Sequence, residues 1–234
     1  MTLRPAAFRS HLVLDPDLLL RAYSIGVFPM SDSRDAADVF WVEPKRRAIL
    51  PLDGFRLSRS LRKTIRADRF RVTRDLAFAE MMRRCAERDE TWINGEIEAG
   101  FNNLHSLGHA HSIECWEGEE LVGGLYGVKL GGAFFGESMF SARTDASKVA
   151  LAWLVARLIA GGFRLLDCQF MTEHLRSLGA IEISQADYVT MLSSVLAAGG
   201  AGGVDFGALD ELLASAGDVS APGWVIAQLL GQTS

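Results

Sequence analysis

The stretch that most limits what this chain can become is Leu121 to Lys148, LVGGLYGVKLGGAFFGESMFSARTDASK. Two runs of strand-forming residues meet at Gly131-Gly132, and a helical pattern starts after Asp145. A glycine pair supplies the backbone freedom that a tight hairpin demands. In the second run one carboxylate, Glu137, stands among Phe134, Phe135, Met139 and Phe140. A buried, unpaired carboxylate is costly, so Glu137 is expected either to pair with a core Arg or to receive a cationic substrate group. Alternation puts Phe135, Glu137 and Met139 on one face and Phe134, Ser138 and Phe140 on the other, unless Gly136 introduces a bulge.

The flanking segments set the fold class. Ala110 to Trp116 adds a strand before this pair, making an antiparallel meander. The helix predicted over Ala146 to Ala160, with Asp145 as its cap, is apolar nearly all round and should be covered on both sides. Phe163 to Gln169 follows as a strand reached through that helix, hence parallel to its predecessor. Meander, helix and parallel strand together are an α+β pattern. Asp167 and Gln169 lie two apart, so their side chains share a face while Cys168 turns into the core. An amide oxygen accepts hydrogen bonds but is no strong base, so Gln169 suits orienting an amine. The plain alternative is a polar pair satisfying loop backbone at the strand's end.

Before the meander, Asp15-Pro16 opens a helix to Val27, VFPM exits it in extended form, and Phe40 to Val42 is a short strand. This section is too small to fold alone and should pack on the rest as a lid or subdomain. The pattern restarts at Arg46, with strands over Arg47–Leu52 and Phe70–Thr73. Helices are predicted over Ser58–Arg66, Asp75–Arg88 (Leu76, Ala79, Met81 and Met82 inward) and Glu96–Leu107. Beyond the parallel strand come a helical turn at His174–Leu178, a helix over Gln185–Ala198 and a weakly structured tail.

Net charge is −5, which alone argues against a nucleic-acid partner. The charge is uneven, however: Lys45 to Arg88 holds 14 Lys and Arg against 5 Asp and Glu, leaving 10 against 24 elsewhere. Arg59, Arg62, Lys63 and Arg66 fall on one helix face, a candidate phosphate surface whose plain alternative is a solvated helix. The three cysteines have no metal or redox spacing, and His105, His109 and His111 lack a partner set for a metal. Neither a GxGxxG before a helix nor a GxxxxGK[ST] loop occurs. No signal peptide or membrane span is expected, so a cytoplasmic protein with reduced thiols is anticipated.

The motifs WI (92–93), LHSLGHAHSIE (104–114), LVGGLYG (121–127), GESMFS (136–141), ASK (146–148), LDCQ (166–169) and SLGA (177–180) occur in one order. With AY (22–23) and FPM (28–30), they closely resemble the bacterial leucyl/phenylalanyl-tRNA–protein transferase family. The resemblance implies transfer of Leu or Phe, and less well Met, from aminoacyl-tRNA to proteins beginning with Arg or Lys, which marks them for N-degron proteolysis. It implies a small N-terminal domain (1–45) and an N-acetyltransferase-like (GNAT-like) catalytic domain (46–234) with a mixed, mainly antiparallel sheet.

By the same resemblance Glu137 and Gln169 are central, with Asp167 hydrogen-bonded to Gln169. Leu125, Phe134, Met139, Leu154, Leu158 and Leu166 would line an aminoacyl pocket, and Tyr23, Met30 and Trp92 would surround the terminal adenosine. Since the donor ester is already activated, no metal, cofactor or ATP is expected, and the protein is expected to act as a monomer. Several positions depart from the family: Met30 and Phe101 replace a usual Trp and Tyr, Val42 interrupts an aromatic run, and Asp145 and Thr172 each replace Asn. Two other readings are a CoA-dependent N-acetyltransferase, disfavoured because the [QR]xxGx[GA] loop is missing, and a non-catalytic RNA-binding protein.

Overall fold

A computed structural model describes residues 14–88, 90–199, 203–215 and 222–231. Helix α1 (Pro16–Ser24) starts where Asp15 accepts from the main-chain N–H groups of Asp17 and Leu18. Strands β1 (Phe28–Met30) and β2 (Phe40–Val42) pair as a small antiparallel ribbon. Then follow β3 (Arg46–Ile49), α2 (Arg59–Arg66), β4 (Arg71–Arg74), α3 (Phe78–Ala86) and α4 (Gly95–Ser106). The meander is β5 (Ala110–Glu117), β6 (Glu120–Leu130) and β7 (Ala133–Ser141). Next come α5 (Ala146–Ala160), β8 (Leu165–Gln169), α6 (Glu173–Ser177), β9 (Ile181–Ser184), α7 (Gln185–Gly199), α8 (Ala208–Ser215) and α9 (Pro222–Leu229).

Seven strands form one mixed sheet in the order β4-β5-β6-β7-β8-β3-β9, antiparallel throughout except for the β7/β8 pair. That parallel pair is the one reached through α5, as the crossover requires. Two apolar clusters sandwich the sheet. One gathers α5 with residues of α2, α8 and α9. The other gathers α1, α3, α4 and α7, so the N-terminal residues Leu19, Tyr23 and Phe28 share a core with Ile97, Phe101 and Tyr126. Among the described residues no helix is long and apolar enough to cross a membrane.

Several expectations need correction. The C-terminal tail contains α8 and α9, and α9 docks on α2, where the Gly223 N–H donates to Asp68 Oδ1 at 2.8 Å. Strand β9 was not expected at all. Asp145 does not cap α5: it adopts a left-handed conformation (φ 70°) and its carboxylate binds Lys148 instead. In α3 Met81 and Met82 are buried, but Leu76, ahead of the helix, is 62% exposed and Ala79 is exposed too, because the helix starts only at Phe78 and its inner face is shifted accordingly.

Candidate active site

The site is created by a flaw in the sheet. Between β6 and β7 the register slips by one residue: Tyr126 lies opposite Ser138 and Gly127 opposite Gly136, leaving Glu137 as the extra residue of a β-bulge. The slip exchanges faces, so Phe134 and Met139 serve one core cluster while Phe135 and Phe140 serve the other. The simple alternation of Phe135, Glu137 and Met139 therefore fails, and the bulge that Gly136 suggested is present. Gly127 allows it, since a Cβ there would lie 2.2 Å from the Phe135 carbonyl oxygen.

Strands β7 and β8 pair only as far as Phe135 opposite Asp167. Beyond that point Glu137 and Gln169 meet through side chains: Gln169 Nε2 donates to Glu137 Oε1 at 2.9 Å. Tyr23 donates its hydroxyl to the same oxygen at 2.7 Å, tying α1 to the bulge. Glu137 Oε2 is buried and has no hydrogen-bond partner among the described residues. Burial pushes the Glu137 carboxyl up to about 7, and the bonds from Tyr23 and Gln169 only partly offset that. Among the described residues no Arg forms an ion pair with it. Because Nε2 is committed to Glu137, the Gln169 side-chain oxygen remains an acceptor.

Asp167 has a different task. Its Oδ1 accepts from Arg47 Nε (2.9 Å) and the Gln169 main-chain N–H (2.8 Å), and its Oδ2 from Arg47 Nη2 (2.6 Å) and Tyr188 Oη (2.7 Å). Arg47 Nη1 also donates to the Gly26 carbonyl, and its guanidinium lies over the Phe28 and Tyr188 rings at 4.7 and 4.5 Å. Asp167 thus reaches Gln169 through its backbone, not through its amide. Gln169 sits at φ 61°, a left-handed conformation that the Asp167 bond to its N–H helps to fix.

A cavity of about 260 Å³ adjoins these groups. Leu125, Met139, Leu151, Leu154 and Leu166 give it an apolar wall, and Glu137, Gln169, Trp92 and Phe170 complete its approach. Phe134 and Leu158, expected in this wall, are fully buried and lie outside the lining. Met30 is half-buried in the cluster that contains Tyr23 and Trp92, and the Ser31 N–H donates to the Trp92 carbonyl. Phe101 stands edge-on to Tyr23 and Tyr126, a ring without a hydroxyl between two phenols.

Elsewhere, Arg59, Arg62, Lys63 and Arg66 line a separate concave surface of about 450 Å³ on α2. Histidines 105 and 111 bind the Ala110 carbonyl and Asp75, and no group of three metal-ligating side chains occurs among the described residues. Burial pushes the Cys85 and Cys115 thiols up to about 12, which leaves them unreactive.

The family model described as leucyl/phenylalanyl-tRNA protein transferase matches residues 49–193, and the model of its N-terminal domain matches residues 13–45. The chain belongs to the leucyl/phenylalanyl-tRNA–protein transferase family. A member from Rhizorhabdus wittichii is 63% identical over 94% of this chain and 99% of that protein. Another from Zymomonas mobilis is 61% identical over 79% of this chain and 70% of its own length. One from Ruegeria pomeroyi is 55% identical over 85% and 92%. Arg47 and Tyr188 were not anticipated as site residues of this family member. The signal for Arg47 was an Arg inside a strand-forming run, RRAI, which the surrounding basic block concealed.

Proposed function

We propose that this transferase moves Leu or Phe, and less well Met, from aminoacyl-tRNA to proteins whose N-terminal residue is Arg or Lys, in the cytoplasm and as a monomer. The observation that carries the reading is Glu137: one oxygen held by Tyr23 and Gln169, the other without a partner among the described residues, beside an apolar cavity. The aminoacyl side chain would occupy the Leu125–Met139–Leu154–Leu166 wall. Such a wall is permissive, since one methylene discriminates by only about 1–3 kcal/mol. Met30 and Trp92 would lie around the terminal adenosine, whereas Tyr23, expected there too, is fully buried and acts through its bond to Glu137; the α2 face would hold tRNA phosphates.

The acceptor amine nitrogen attacks the ester carbonyl carbon, the amide bond forms, and the ester C–O bond breaks to release the tRNA terminal hydroxyl. The Gln169 side-chain oxygen orients the amine, and Glu137, with its carboxyl at about 7, faces the cationic acceptor end and can hold the proton the amine gives up. None of these steps calls for a resident metal or cofactor. The division into a small N-terminal domain (1–45) and a GNAT-like catalytic domain (46–234) is supported by the sheet's restart at Arg46 and by the cavity beside parting strands.

The test is transfer of radiolabelled Leu, Phe and Met from charged tRNA to a peptide with N-terminal Arg, beside an N-terminal Ala control. Label on the Arg peptide alone is expected. Equal labelling of both peptides, or of neither, contradicts the acceptor assignment.

A further inference from the structure

A second groove, about 500 Å³, continues from the cavity: the two share Arg88, Met139 and His174. Arg84, Glu87, Ser141 and Ser147 are among its other lining residues. Arg88 is anchored through Nη2 to the Met139 carbonyl and Ser138 Oγ, and Arg84 through Nη1 to Glu87 at 3.1 Å, with its guanidinium over Phe140 at 5.2 Å. Each guanidinium has five N–H donors, so both retain donors beyond these bonds. Among the described residues the one carboxylate in the lining is Glu87, which is already paired with Arg83 and Arg84. Burial and nearby Lys148 hold the His174 pKa below its ordinary value, so it adds a neutral donor or acceptor at pH 7.

With two arginines against one carboxylate among its described lining residues, the groove is net positive and favours a polyanion over a basic polypeptide N-terminus. It shares no lining residue with the concave α2 surface, so the two basic regions can touch different parts of one RNA. We infer that the Arg84–Arg88 groove holds the phosphates of the single-stranded 3′ end of the donor RNA, immediately upstream of the aminoacylated adenosine in the cavity. The inference rests on the transferase reading above. It gives the enzyme a local grip on the donor strand as well as a remote grip on the tRNA body. The acceptor then approaches the Glu137–Gln169 side by another route.

Donors of three lengths separate the two grips: aminoacyl-adenosine, which has no phosphate, an aminoacylated CCA trinucleotide, and full-length aminoacyl-tRNA. The wild-type enzyme should use the trinucleotide better than the adenosine. In Arg84→Gln/Arg88→Gln that advantage should fall by roughly five- to tenfold, the scale of one or two lost charge-assisted contacts. Arg62→Glu/Lys63→Glu should spare the advantage and weaken only full-length tRNA, with a flatter salt dependence. Arg84→Gln alone, which leaves the Arg88–Met139 bond in place, should lose part of the advantage, and thermal melts check that each variant is folded.

A trinucleotide advantage that survives in the double variant overturns the inference, as does a wild type with no such advantage. A change in KM for the acceptor peptide instead of the donor would assign the groove to the acceptor. No transfer by the wild type from any donor would instead sink the transferase reading itself.

Discussion

Two buried carboxylates stand on neighbouring strands of this sheet and are treated in opposite ways. Asp167 on β8 accepts bonds on both oxygens, from Arg47, Tyr188 and the Gln169 backbone. Glu137 on β7 accepts two bonds on one oxygen and, among the described residues, none on the other. A buried charge whose lone pairs are all engaged is a fixture, and removing its partner leaves a heavy penalty. One left half-engaged, with its carboxyl pushed up to about 7, is costly to the fold unless something arrives to use it. The first carboxylate holds the frame, and the second, on the function proposed above, meets the substrate.

The sharpest way to break that contrast is Arg47→Met. It strands Asp167 without its cation in a fully buried position. Urea unfolding should show a loss of about 3–5 kcal/mol. A loss below about 1 kcal/mol would mean that Asp167 is not held as described.

Glu137→Gln should do the reverse to stability, and pH reveals it. The Glu137 pKa of about 7 in the folded chain lies above the ordinary 4.5, so the folded state binds this proton more tightly than the unfolded chain. The stability that the proton contributes is present below about 4.5 and is lost as pH rises through about 7. Between pH 5 and pH 8 wild type should therefore lose about 1–3 kcal/mol more than Glu137→Gln. Parallel pH profiles would contradict this.

Tyr188→Phe makes the smallest cut. It removes one of five bonds to Asp167 while keeping the ring under the Arg47 guanidinium. A loss of about 1 kcal/mol in the same unfolding assay is expected. A loss as large as that of Arg47→Met would show that the five bonds act as one unit.

Much of this architecture was legible because it is local. The Gly131-Gly132 hairpin, the α5 crossover, the Asp15 cap and the basic face of α2 follow from turn chemistry and periodicity within short windows. The Asp167–Gln169 pair was visible as two polar residues in an apolar strand. What could not be read depends on distant partners. Tyr23 and Glu137 are 114 positions apart, and Arg47 and Asp167 are 120 apart. The bulge was foreshadowed by Gly136, but its register required the facing Gly127. Strand β9 is four residues long, and α8 and α9 follow a glycine-rich run that hides the return of helical periodicity. Asp145 misled because a capping residue and a left-handed turn residue look alike in sequence.

The central claim is that Glu137 serves the substrate while Asp167 serves the fold. The direct test is transfer of labelled Leu from charged tRNA to an N-terminal Arg peptide by Glu137→Gln, with donor binding and thermal stability measured on the same sample. The account predicts a protein at least as stable as wild type at pH 8, donor binding retained, and transfer reduced by roughly 10²–10³-fold, the usual scale for losing a positioned acid–base group. Near-normal transfer by that folded variant would contradict it.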